Sequence, residues 1–149
     1  MYHWYLKKKT RELFDRLADD DYEALLALAT PDITHTFAGD TPFGGTRRGV
    51  PALRRWFEHL FALLTRRKFQ VNSVVVKGGP WRTQVAVEWS GVFHTADGQT
   101  YNNQGTDVME LRWGRLVGVR VYHDTATVAA VFTRLASSGY SDASPPVSY

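Results

Sequence analysis

Between about residues 68 and 123 the hydrophobic period of the chain is two. The stretches "KFQVNSVVVKG", "TQVAVEWSGVFHT", "TYNNQGTDVMELRW" and "RLVGVRVYH" alternate apolar with polar or small residues. That is the pattern of a strand with one face in a core and the other outside it. The pieces between them, "GGPWR", "ADGQ" and "WGR", are long enough only for tight reversals. The four strands are therefore antiparallel neighbours, and the second half of the chain is a meander.

The first half has the other period. Residues 4–18, "WYLKKKTRELFDRLA", set Leu6, Leu13, Phe14 and Leu17 on one helical stripe. "DDDYEALLALA" starts a second helix, with Asp20 as N-cap, Glu23 completing a capping box and Pro31 as the stop. "DITHTF" reads as a strand with Ile33, His35 and Phe37 on one face, and "AGDTPFGG" as a loop. A third helix over about 50–65 carries Leu53, Trp56, Phe57, Leu60, Phe61 and Leu64 on a wide stripe. Helices grouped before strands imply an α+β domain. A curved antiparallel sheet wrapped around three helices leaves a cone-shaped interior. The domain spans 1–136 and ends in a short helix, Val128–Leu135. Residues 137–149, "SSGYSDASPPVSY", have the composition of a flexible tail that adds nothing to the core.

A chain of 149 residues fits one domain with a real core. Its 13% aromatic content exceeds what packing alone requires and hints at an aromatic-lined cavity. With no Cys there is no disulfide framework, thiolate metal site or cysteine nucleophile. No HExxH pair occurs among the histidines, so neither a metal nor a cofactor is expected. No apolar run approaches the ~18 residues of a membrane span, and no signal peptide opens the chain. A cytoplasmic protein without membrane contact is expected. The pI of about 9.3 invites a nucleic-acid reading. The basic clusters Lys7–Lys9, Arg47–Arg48, Arg54–Arg55 and Arg66–Lys68 are interleaved with acids and read instead as solvated faces, so no nucleic acid is expected.

The element order is carried by "LADDDYEALLALATPDITHTF", by "GG" ahead of "LRRWFEHLF", and by "VAVEWSGVFHTADGQTYNNQGTDVMEL" and "GRLVGVRVYHDT". It resembles the nuclear transport factor 2-like superfamily, and within it the SnoaL-like group of small polyketide cyclases, over about residues 4–135. The resemblance implies a cystatin-like α+β cone and sheet-to-sheet dimers. The superfamily includes isomerases, cyclases, dehydratases, epoxide hydrolases and non-catalytic proteins, so fold assigns no activity. The ketosteroid-isomerase positions for an oxyanion tyrosine and a catalytic aspartate fall on Leu13 and Phe37. The second oxyanion acid falls near Gln104 or Asp107. The Arg-x-Asp of limonene-type epoxide hydrolases falls on Trp89 and Gly91. What is shared with the cyclases is a last strand ending in "YHDT" and a polar group on the strand before it.

Val117, Val119 and Val121 alternate along that last strand, and the next residue on the valine side is His123, followed by Asp124. On the preceding strand Tyr101, Asn103, Gly105, Asp107, Met109, Leu111 and Trp113 fall inward. Asp107 is thus a carboxyl on a mostly apolar face, where burial disfavours its charge and makes it a proton acceptor or donor near neutral pH. The bland alternative is a structural bond to a backbone N–H or to Arg112. His35 is either a core residue or a partner for a carbonyl oxygen. Asp124 is either an acid/base, as the cyclase resemblance implies, or the cap of the following helix. The acid/base candidates are Asp107, Asp124, His35 and His123. The candidate ligand walls are Trp56, Leu60, Phe37, Trp89, Tyr101, Val119 and Val121. Together they suit cofactor-free isomerisation, cyclisation or dehydration of a small, largely apolar, carbonyl-bearing molecule. The alternative is a non-catalytic module binding a small molecule or a protein in the same cone. On the outer face Ala86, Glu88, Ser90, Val92, Val108, Glu110, Arg120 and Tyr122 suit a homodimer interface.

Overall fold

The computed structural model of the chain describes residues 1–143. In chain order its elements are α1 (Tyr2–Ala18), α2 (Glu23–Leu28), β1 (Ala29–Phe37), β2 (Gly45–Arg48) and α3 (Val50–Leu63). They are followed by β3 (Leu64–Gly79), β4 (Arg82–Thr95), β5 (Thr100–Arg112), β6 (Arg115–His123), α4 (Thr125–Ser137) and a short 3-10 turn, Ser141–Ala143. The strands form one curved, unclosed sheet in the order β2-β1-β6-β5-β4-β3. β3 to β6 are the antiparallel meander that period two requires, and β1 joins β6 in parallel, His35 beside Val119 and Phe37 beside Val121. The fold is α+β, as the sequence indicated.

β4 shows the cause of the architecture most plainly. Thr83, Val85, Val87, Trp89, Gly91, Phe93 and Thr95 are buried while the residues between them are not. In β3 the phase slips, because Arg67, Phe69 and Val71 face inward but so do Val74 and Val76. An extra residue at Asn72 forms a bulge, which bends the strand and adds to the curvature. The helices fill the concave side with Leu13, Phe14 and Leu17 from α1 and Leu53, Trp56, Phe57 and Leu60 from α3. Each such side chain contributes about 1.5–3 kcal/mol by leaving water.

Several local expectations are corrected. Asp20 does not cap α2: it sits at φ +65, and its carboxylate accepts from Arg67 Nη1 at 2.6 Å. Glu23 binds Arg54, and Tyr22 precedes α2 without a side-chain cap. The buried Arg67 needs a counter-charge more than the short α2 needs a cap. Pro31 does not end α2, which stops at Leu28. It lies inside β1 where the pairing with β6 is irregular between Ala29 and Thr34, so its missing N–H breaks no regular ladder. The Gly/Pro loop gives way at Gly45 to the edge strand β2. Two of the basic clusters are not wholly solvated, since Arg47 and Arg67 are buried. Trp113 does not face inward. Register shifts between Glu110 and Leu111, and Trp113 forms the reversal between β5 and β6, 74% exposed. Packing also continues past residue 136. Tyr140 Oη donates to the Ala96 carbonyl at 3.0 Å, and Ala143 is buried. The rest of the expected flexible tail, 144–149, lies outside the described residues.

Candidate active site

A cavity of about 100 Å³ lies between the helices and the concave sheet. His35 and Phe37 from β1, Trp56 and Leu60 from α3, Trp89 from β4, Tyr101 and Asp107 from β5, and Val119, Val121 and His123 from β6 all line it. Those residues come from separate strands and a helix, and the sheet register brings them together. Val121 stands between Asp107 on one side and Phe37 on the other. His123 is opposite Gly105, which makes it the diagonal neighbour of Asp107 on the same face.

Asp107 is the strongest feature of the site. Trp89 Nε1 donates to its Oδ1 at 2.9 Å, while Arg112 turns instead towards Glu110, at 3.6 Å. Asp107 is half-buried as a residue and lines the internal cavity. Burial pushes its pKa up to about 7, against the pull of the indole hydrogen bond. Gly105 makes that bond possible. A Cβ there would run into the Tyr122 carbonyl and come within 2.8 Å of the Trp89 ring.

The two histidines are held in defined tautomers. Arg47 Nη1 lies 2.6 Å from His35 Nδ1, and a guanidinium only donates, so Nδ1 accepts and the neutral ring carries its proton on Nε2. Burial, then the charge of Arg47, drives the His35 pKa down to about 3. Arg47 is fixed in turn by the carbonyls of Phe43, Gly44 and Gly45 at 3.0–3.1 Å. His35 therefore offers the cavity wall a neutral N–H donor. His123 Nε2 lies 2.9 Å from the Ala38 carbonyl, which can only accept, so this ring is also protonated at Nε2. Its pKa is lowered by burial, and its Nδ1 is buried without a partner among the described residues.

Asp124 stands apart from these groups. It is exposed at the start of α4, outside the cavity lining, with Oδ1 accepting from the Thr127 N–H at 3.2 Å and Oδ2 from the Thr127 hydroxyl at 2.8 Å. Those bonds hold its carboxyl below the usual range, and its extended backbone is that of an N-cap.

Two polar residues join the site that were not among the candidates. Asn103 is buried on the cavity wall, and its Oδ1 accepts from the N–H groups of Gln104 and Asp124 at 2.8 and 3.2 Å. Its Nδ2 keeps two donors for other partners. The alternation of β5 had placed it inward. Arg67 also lines the cavity, its side chain 1% exposed. It donates to the carbonyls of Leu17 and Leu64 at 2.9 and 2.8 Å, and its guanidinium carbon sits 3.5 Å from the Phe61 ring centroid. Its signal in the sequence was phase, since it alternates with Phe69 and Val71. Among the described residues no three His, Asp or Glu side chains gather as a metal would need.

The profile of the SnoaL-like domain matches residues 10–119. The chain belongs to this family. The SnoaL-like domain is also similar to several solved structures. It superimposes on PrhC from Penicillium brasilianum with TM-score 0.78 and 19% identity, covering 94% of this chain and 93% of that one. An NTF2-like protein of unknown function from Burkholderia pseudomallei gives TM-score 0.73 and 19% identity over 84% and 95% of the two chains. A putative polyketide cyclase from Xanthomonas campestris gives 0.63 and 19% over 87% and 98%. At these identities the likeness is one of fold. No curated protein matches the sequence.

Proposed function

We propose that this SnoaL-like domain binds a small, largely apolar, carbonyl-bearing molecule in its cone and moves a proton at the carbon beside the carbonyl. The observation that carries the reading is Asp107, a carboxyl inside an apolar cavity with a pKa near 7. A base of that pKa is about half ionised at neutral pH and can both take and return a proton. The ionised carboxylate removes the proton from the α-carbon, and negative charge builds on the carbonyl oxygen. The N–H donors of His35 and Asn103 are suited to receive that oxygen. The protonated Asp107 then returns the proton to another carbon, giving isomerisation or the proton shift of a cyclisation, or to a departing hydroxyl, giving dehydration. The Xanthomonas campestris relative described as a putative polyketide cyclase fits this class of chemistry.

The cavity is smaller than the few hundred Å³ of most ligand sites, so ligand entry should displace aromatic wall residues and perturb Trp56 and Trp89. This makes binding readable by tryptophan fluorescence. Proton transfer is readable without the natural substrate, by following deuterium uptake into small aryl ketones and 1,3-diketones in D2O. The protein should accelerate exchange, with a rate that rises as pH passes about 7 and Asp107 ionises. Asp107→Asn should lose about 10²–10⁴ in rate. Equal exchange by a folded Asp107→Asn variant would refute the assignment. Fluorescence-detected binding with no exchange by the natural sequence would leave a binding module.

A further inference from the structure

Two tryptophans, Trp81 and Trp113, cap adjacent turns at the end of the sheet opposite the start of α4, and a third, Trp4, lies in the first turn of α1. The β3–β4 reversal consists of Pro80 and Trp81, and the β5–β6 reversal of Trp113 and Gly114. The two lie side by side, with the Trp113 N–H donating to the Pro80 carbonyl at 2.8 Å. α1 begins at the same place: Tyr2 Oη is 2.6 Å from Thr83 Oγ1, and His3 Nε2 is 2.8 Å from the Gly78 carbonyl. Trp4 is 66% exposed, Trp81 64% and Trp113 74%.

Neither turn geometry nor packing explains Trp113. Its φ of +50, followed by +77 at Gly114, makes a two-residue reversal with both residues left-handed, the type I′ turn. The first position of that turn favours Asn, Asp or Gly, and a bulky residue there is strained. The indole buries little in return. Lys7, Lys8 and Lys9 lie on α1, and Lys77, Arg82, Arg112 and Arg115 flank the two reversals along the chain, against the carboxylates Glu12, which pairs with Lys9, and Glu110, which pairs with Arg82 and Arg112. Lys8 Nζ lies 5.9 Å from the centroid of the Trp4 ring.

We propose that this pole docks on an anionic lipid surface, with Trp81 and Trp113 set into the headgroup layer and the α1 lysines over lipid phosphates. Indoles partition to the membrane interface because one edge is polar and the ring is apolar. The excess of positive charge complements an anionic surface, where each basic residue adds roughly fivefold in binding. Single-stranded nucleic acid fits less well, because it stacks its bases along a basic groove. Here the largest rings cap protruding turns. The contact is peripheral, since no helix among the described residues is long and apolar enough to cross a membrane. It replaces the expectation of no membrane contact and does not depend on the chemistry of the cavity.

The test is sedimentation of the full chain with phosphatidylcholine vesicles that contain phosphatidylserine, beside vesicles of phosphatidylcholine alone. Binding should need the anionic lipid, weaken as salt is raised, and shift tryptophan emission to the blue. Trp113→Asn suits the turn, so it should keep or raise the melting temperature while weakening vesicle binding about tenfold. Lys7→Glu with Lys8→Glu should weaken it by more than tenfold. Equal binding to both vesicle types, or a Trp113→Asn variant that binds as the natural sequence does, overturns the proposal. So does tighter binding to a single-stranded oligonucleotide than to vesicles, or self-association abolished by Trp113→Asn with vesicles ignored.

Discussion

Asp107 and Asp124 have the same side chain, and the structure gives them opposite environments. Asp107 lies mid-strand, enclosed by apolar side chains with one indole donor, and its proton affinity is raised. Asp124 lies at the strand-to-helix junction, exposed and doubly bonded to Thr127, and its proton affinity is lowered. A carboxylate that collects backbone and hydroxyl donors is stabilised in its charged form and has little tendency to take a proton at neutral pH. One kept short of donors in an apolar wall is poised to do so. The difference lies in the number of donors and the access of water, which a residue name does not encode.

The sharpest way to break this contrast is kinetic. Asp107→Asn should remove about 10²–10⁴ of the deuterium-exchange rate, whereas Asp124→Asn should leave that rate within about twofold. An Asp124→Asn variant as inactive as Asp107→Asn would erase the distinction.

Stability should move the opposite way. The folded pKa of Asp107 lies above its unfolded value, so its cost is absent below about pH 3.8 and complete above about pH 7. Asp107→Asn should therefore be more stable than the natural sequence by about 2–4 kcal/mol near pH 8, and nearly equal to it near pH 4. His35 has the reverse sign. Its folded pKa lies below its unfolded value, so its contribution is complete above about pH 6.5 and is lost as pH falls toward 3. In Asp107→Asn this acid-side loss should stand uncovered, and urea titrations across that range would display it.

Trp89→Phe tests the single donor on Asp107. Without the indole N–H the charged form loses a bond worth about 1.5–3 kcal/mol, so the midpoint of the exchange profile should rise by about 1–2 pH units. An unmoved midpoint would mean that the Trp89 bond does not tune the base. Asp124→Ala should cost about 1 kcal/mol of stability, measured by urea denaturation, and no more than a small part of the activity. The smallest effect concerns assembly. The outer face presents Val75, Val92 and Tyr122 exposed beside Ala86 and Val108, and sedimentation is expected to give a dimer that Tyr122→Ser weakens. A purely monomeric species at micromolar concentration would remove that expectation.

Legibility in the sequence followed the strength of periodicity. The meander was readable because Val85, Val87, Trp89 and Phe93 repeat every second residue, and the cavity wall followed from the same phase. β2 was hidden because a four-residue edge strand behind a Gly/Pro loop carries too little pattern. Arg47 and Arg67 were misread because neighbouring charges usually share a solvated face, while the partners that hold them inside, His35 for Arg47 and Leu17 and Asp20 for Arg67, lie 12 to 50 positions away and are invisible to local patterns. Asp20 was misread for a related reason, since its partner lies 47 positions along the chain. For Asp124 both readings were open, and only the Thr127 contacts separate them.

The parallel pairing of β1 with β6 has a consequence for how the chain reaches its native state. His35 can meet Val119 only after every element from β2 to β6 has been made, whereas each meander hairpin can zip as soon as its two strands leave the ribosome. Closing so long a loop is entropically costly and slows the rate-limiting step. During synthesis the apolar stripe of α3 can pack early on His35 and Phe37 of β1, but that pair must wait for the meander strands that close the core over it. That interval is the one in which apolar surface is most open to aggregation, and substitutions that weaken the β1–β6 ladder should lengthen it.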